Sequence, residues 1–110
     1  MKLYHGRRSA HGCAVDVEED GECSLLHPRQ DLRQSASTDL EWGLSSGDGP
    51  AQLALALAAD VLGDDRRAMR VYPRLKRTLI GKLPDEGWVL TEAQIRSAIE
   101  AIDHERPLTP

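Results

Sequence analysis

No phenylalanine occurs among the 110 residues, and the aromatic complement is Tyr4, Trp42, Tyr72 and Trp88. The core must therefore be built from Leu, Ile, Val and Ala around a few large rings. Long apolar runs are missing as well. The longest, Leu53 to Leu62, is interrupted by Asp60 and is too short to cross a bilayer. The opening "MKLYHGRRSAHG" lacks the apolar stretch of a secretory signal, so a soluble, cytoplasmic protein with no membrane partner is expected.

Cysteine is scarce too: Cys13 and Cys23 only. In "CAVDVEEDGECSLLH" the spacing predicts a hairpin closed at Glu18 and Glu22 around the three-residue loop Glu19-Asp20-Gly21. That register puts Cys13, Val15, Val17, Cys23 and Leu25 on one face and Cys13 opposite His27. The two sulfurs then lie about 13 Å apart, beyond the reach of a disulfide. The same spread keeps His11, Cys13, Cys23 and His27 from forming one tetrahedral metal site, so no metal ligands are assigned.

Catalytic grammar is also absent. No Gly-x-Ser-x-Gly elbow surrounds Ser45 or Ser46, the four histidines are scattered, and no catalytic residue or cofactor is assigned. An enzyme is the less favoured reading.

What is present organises one domain, long enough to bury roughly two-thirds of its unfolded surface. The fold class expected is α+β: a small antiparallel sheet, made of an N-terminal hairpin plus one or two short strands, packed on three helices. Strands and loop occupy about residues 1–43, where "KLYH" and the hairpin read as strands and "LEWG" as a further short one. "PRQDLRQSASTD" is polar and aperiodic and reads as a surface loop. Helices are expected over 49–63, 65–83 and 91–104, with a frayed tail over 105–110.

The first helix starts with Gly49 as N-cap and Pro50 behind it, ends at Gly63, and is apolar on nearly every side in "AQLALALAADVL", which places it at the buried centre. In the second, Asp64 or Asp65 caps a run whose apolar positions (Ala68, Val71, Tyr72, Leu75, Leu79, Leu83) keep helical spacing, and Pro73 predicts a kink or a break into two pieces. The third opens with Thr91 and Gln94 in a capping box and buries Ile95, Ala98, Ile99 and Ile102.

Two features bear on function. "SSGDGPAQ" sets glycines against a helix N-terminus, an arrangement able to hold an anion through Ser46, Gly47 and Gly49. It lacks the lysine of a phosphate-binding loop and carries Asp48 and Pro50, so an architectural cap is the leading reading. The other feature is charge. Arg66, Arg67, Arg70, Arg74, Lys76 and Arg77 gather on the second helix, while Asp16, Glu18, Glu19, Asp20 and Glu22 crowd the hairpin, in a chain of net charge −4. The leading expectation is an interaction module that binds a protein partner through Glu18, Glu19 and Asp20 or through Arg66, Arg70, Arg74 and Arg77. Nucleic-acid binding by the arginine stripe is the first alternative, and a phosphate-ligand or catalytic domain using the Ser/Gly turn is the second.

"LYHGRR", "EWG" with its Ser/Gly turn, "GPAQLALAL", a tyrosine followed by basic residues, "LP" and "GW-LT" before an amphipathic helix together resemble the small domain of unknown function family 6166. The resemblance covers most of the chain. It departs at Leu44, where the family tends to carry an aromatic, and at Ser46 and Asp48, where the family turn is richer in glycine. It implies occurrence in bacteria, archaea and their phages and plasmids, hence a mobile-element setting, and no activity or site residues.

Overall fold

A computed structural model describes residues 2–10, 12–34, 40–42 and 48–104. The element order is β1 (Lys2–Ser9), β2 (Gly12–Glu19), β3 (Glu22–Leu25), α1 (Asp48–Leu62), α2 (Asp65–Thr78), a 3-10 turn (Ile80–Lys82), β4 (Gly87–Thr91) and α3 (Glu92–Asp103). The strands form one antiparallel sheet in the order β3-β2-β1-β4, and three helices complete an α+β fold.

Alternation decides which side of the sheet is covered. Tyr4, Val15, Val17, Trp88 and Leu90 share the inner face and are buried, whereas Leu25 and Val89 on the other face are exposed. Against the inner face lies α1, in which Leu53, Ala54, Leu55, Ala56, Leu57 and Ala58 are each at most 1% exposed. Six consecutive buried residues leave that helix no solvent side, as its composition predicts. Gly63 ends it at φ 63°, donating its N–H to the carbonyl of Ala59 at 3.0 Å. Asp60 ties α1 to β1, accepting from the Tyr4 hydroxyl at 2.6 Å and pairing with Lys2 at 3.3 Å. Burial and that carboxylate push the Tyr4 phenol well above its ordinary range.

The helix at the C-terminal end follows its local grammar. The Thr91 hydroxyl accepts from the Gln94 N–H at 3.0 Å, the Gln94 side chain accepts from the Thr91 N–H at 2.8 Å, and Ile95, Ile99 and Ile102 are buried. At the start of α2, Asp64 rather than Asp65 is the cap and accepts from the Arg67 N–H at 3.1 Å.

Four expectations need correction. The hairpin turns through two residues, Asp20 at φ 55° and Gly21 at φ 83°, and closes at Glu19 and Glu22. Asp-Gly suits the tight turn whose twist matches the flanking strands, and the one-residue shift turns Cys23 and Leu25 onto the open face. Cys13 stays with Val15 and Val17, so the two free cysteines lie on opposite sides of the sheet. Leu40, Glu41 and Trp42 are not a strand; Leu40 and Trp42 are core residues instead. The first helix begins at Asp48, which puts Gly49 inside its first turn rather than at its cap. Lastly, of the kink or break expected at Pro73 the break does not occur: α2 is one helix through Pro73 and stops at Thr78 rather than at 83, with the 3-10 turn beyond. Pro73 is exposed, so the carbonyl its ring leaves unpartnered is one that water reaches. Ser46, Gly47, His11 and the tail 105–110 lie outside the described residues.

Candidate functional site

The Gly-Pro-Ala-Gln segment is used by the architecture at every position. A Cβ on Gly49 would lie 2.9 Å from the Glu41 side chain, so glycine permits a close approach there. The same contact brings a carboxylate beside the first turn of α1, where a bound anion would meet like charge. Pro50 and Ala51 are buried. Gln52, 1% exposed, donates from Nε2 to the Pro28 carbonyl at 2.6 Å and accepts from Arg33 at 3.0 Å. It pins the segment between β3 and the rest of the chain to the core. Arg29, at φ 59°, pairs with Asp31 within the same segment and fastens it to the start of α2 through Asp65, each at 3.0 Å. That bonding holds the Asp31 carboxyl below its usual range.

The sequence signals the next cluster only by its tryptophans. Trp88 lies across Gly6 of β1, and Trp42 meets it edge to face at 5.5 Å between ring centroids. Arg8 stacks over Trp42 at 5.3 Å, and both donate to the Asp85 carbonyl, at 2.7 and 3.2 Å. The cluster locks the start of β4 to β1.

The acidic group resolves into two kinds. Glu18 and Asp16 lie on the open sheet face and are engaged, Glu18 by His5 at 3.1 Å and Asp16 by Arg7 at 2.6 Å. Glu19 and Asp20 are exposed at the turn with Glu22.

The arginines divide as well. Helical spacing sets Arg66, Arg70 and Arg77 on the side of α2 away from the buried Ala68, Val71 and Leu75, and Arg74 on its flank near Val71. Arg66, Arg70 and Arg77 are exposed and make no hydrogen bond or ion pair with the described residues. Arg74 is half-buried and, with Arg70, Val71, Ile102 and Asp103, lines a groove between α2 and α3. Arg67 is held to Asp103, its Nε donating at 2.8 Å. On the outward side the arginines are joined by exposed Pro73 and by Met69, 40% exposed. Arg66, Arg70, Pro73 and Arg77 keep steps of four, three and four, so one seam about 16 Å long carries three guanidinium groups unpaired among the described residues, and an apolar strip. Sequence reasoning found the arginines and gave Met69 no role, since it falls outside the helical spacing of the apolar positions.

Among the described residues no helix is long and apolar enough to cross a membrane. A family model described as a family of unknown function (DUF6166) matches residues 4–101. Comparison with curated proteins and with solved structures gives no match.

Proposed function

Because the chain belongs to the family of unknown function DUF6166, whose description carries no activity, we propose from the geometry that it is a cytoplasmic interaction module whose α2 face binds an acidic surface on a protein partner. The observation that carries this is the seam of Arg66, Arg70 and Arg77 interleaved with Met69 and Pro73. Arginine supplies permanent charge and a planar donor fork for carboxylates, and methionine beside it supplies adaptable apolar contact, a mixture enriched in protein interfaces. A phosphate backbone needs charge alone, and here Asp103 stands in the groove alongside. The acidic tip of the hairpin offers a much smaller surface, confined to a two-residue turn.

The test is affinity capture from the native host with wild-type bait and with R66E/R70E/R77E, whose changes lie on exposed positions and leave the fold intact. An acidic protein retained by wild type is expected to fall by roughly tenfold or more on the variant, equivalent to about 1.4 kcal/mol, and to bind the purified wild-type chain directly. Equal retention by both baits would refute the reading. So would affinity for DNA or RNA that falls steeply with salt and disappears in the variant, which would assign the seam to nucleic acid.

A further inference from the structure

All four residues of β3 are exposed, and Leu25, at 71%, is the most exposed of the large apolar side chains among the described residues. β3 is an end strand of the sheet, so one of its edges has no neighbouring strand. The register fixes which groups lie on that edge. Leu26 donates its N–H to the Val15 carbonyl at 2.9 Å, and Glu19 and Glu22 close the two-residue turn. Alternation along an antiparallel pair then turns Glu22, Ser24 and Leu26 towards β2 and leaves the N–H and carbonyl of Cys23 and Leu25 directed outwards. The other end strand offers less: β4 runs straight into α3, and its Thr91 N–H is taken by Gln94 at 2.8 Å.

The two sides of β3 differ in chemistry. On the open face Cys23 and Leu25 sit beside Asp16 and Glu18, whose carboxylates are already engaged by Arg7 and His5. On the helix side a groove of about 280 Å³ runs beneath the strand, lined by Glu19, Glu22, Ser24 and His27 with Lys2 and Asp60. Lys2 is tied to Asp60 at 3.3 Å, so the carboxylates of Glu19 and Glu22 are left without an ion pair among the described residues.

We propose that the outer edge of β3 takes up an extended segment of a protein partner as a fifth strand, and that this segment alternates basic with apolar residues. The backbone groups of Cys23 and Leu25 supply the pairing, the mode by which a peptide extends a sheet at a free edge. Period two then sends every second side chain of the added strand into the groove, where Glu19 and Glu22 favour lysine or arginine. The others lie on the open face beside Leu25, where an apolar group covers it. A second copy of β3 is the poorer occupant, because it brings its own Glu22 to the groove side. Charge on an edge also guards it against unwanted pairing, but these acids guard one side only and admit a strand of the opposite sign. The site shares no residue with the α2 seam, so the two proposals stand or fall separately.

NMR of the isotope-labelled full chain titrated with a short synthetic peptide of alternating lysine and valine tests this. The amides of Cys23 and Leu25 are expected to shift and to gain protection from exchange. The same peptide N-methylated along its backbone keeps every charge and loses its donors, and is expected to bind at least roughly tenfold more weakly. E19Q/E22Q, at exposed positions and checked for unchanged circular dichroism, is expected to lose a similar factor for the unmodified peptide. No shift at β3, equal binding of the methylated peptide, or undiminished binding to E19Q/E22Q would each overturn the proposal. So would protection at Cys23 and Leu25 that grows with the concentration of the chain alone, which would assign the edge to a second copy.

Discussion

Gly6→Ala lowers the unfolding free energy by about 1–3 kcal/mol, read as a lower urea midpoint with an unchanged slope. Gly6 is buried on the inner face of β1, opposite Trp88 on β4. A Cβ at Gly6 would lie 2.7 Å from Cδ2 of the Trp88 ring and nearer still to Cε2 and Nε1. The ring cannot give way, because Trp42 meets it edge to face and Arg8 and the Asp85 carbonyl fix Trp42 in turn. Tryptophan thus covers a glycine that would otherwise weaken the central strand. If that is the cause, the penalty of Gly6→Ala shrinks in a W88L background, where the ring is gone, with a coupling of roughly 0.5–3 kcal/mol. A Gly6→Ala protein as stable as wild type would show that β1 and β4 approach less closely than described.

Gln52→Leu costs roughly 1–3 kcal/mol although the exchange keeps the volume and adds apolar surface to the core. Removal of the amide takes from the Pro28 carbonyl the donor it accepts from at 2.6 Å, and takes from Arg33 one of its contacts, at 3.0 Å. The half-buried Pro28 carbonyl then bears much of the desolvation cost of an unpaired acceptor, which exceeds what the added apolar surface contributes. A second readout separates this from a simple core effect. Residues 28–33 should become the first site of limited proteolysis in Gln52→Leu, since that segment loses its tie to the buried helix α1. A variant of unchanged stability and unchanged cleavage pattern would mean that Gln52 is not the anchor.

These two positions show what was legible in the chain and what was not. Local grammar was readable wherever it sufficed: the capping box of Thr91 and Gln94, the left-handed stop at Gly63, and the all-round apolar composition of α1 are seen as expected. Where two local solutions were both grammatical, tertiary context chose. Asp20-Gly21 and Glu19-Asp20-Gly21 are each acceptable turns, and apolar alternation through Cys23 and Leu25 favoured the wrong one; Leu26, buried and bonded to Val15 at 2.9 Å, carries the inner face instead. Leu40–Trp42 has strand-like composition, but Trp42 is fixed by its ring contact with Trp88, a residue far away in sequence. A mid-helix proline reads as a kink or a break, yet α2 is not broken at Pro73, because that side of the helix faces water. For the candidate site, the run of arginines was visible and their division was not. Which of them are spent inside the fold depends on α3, whose Asp103 takes Arg67 and whose groove takes in Arg74.

The claim on which the rest depends is that α1 is the immobile centre and that the residues entering it serve its placement. Native-state amide hydrogen exchange tests this most directly. The amides of Leu57 to Val61, bonded along the buried turns of α1, are expected to be the slowest in the protein and to exchange only through global unfolding, with a free energy that tracks the denaturant-derived stability. Exchange of those amides through local opening, as fast as on the outward side of α2 around Arg70 and Pro73, would contradict the account.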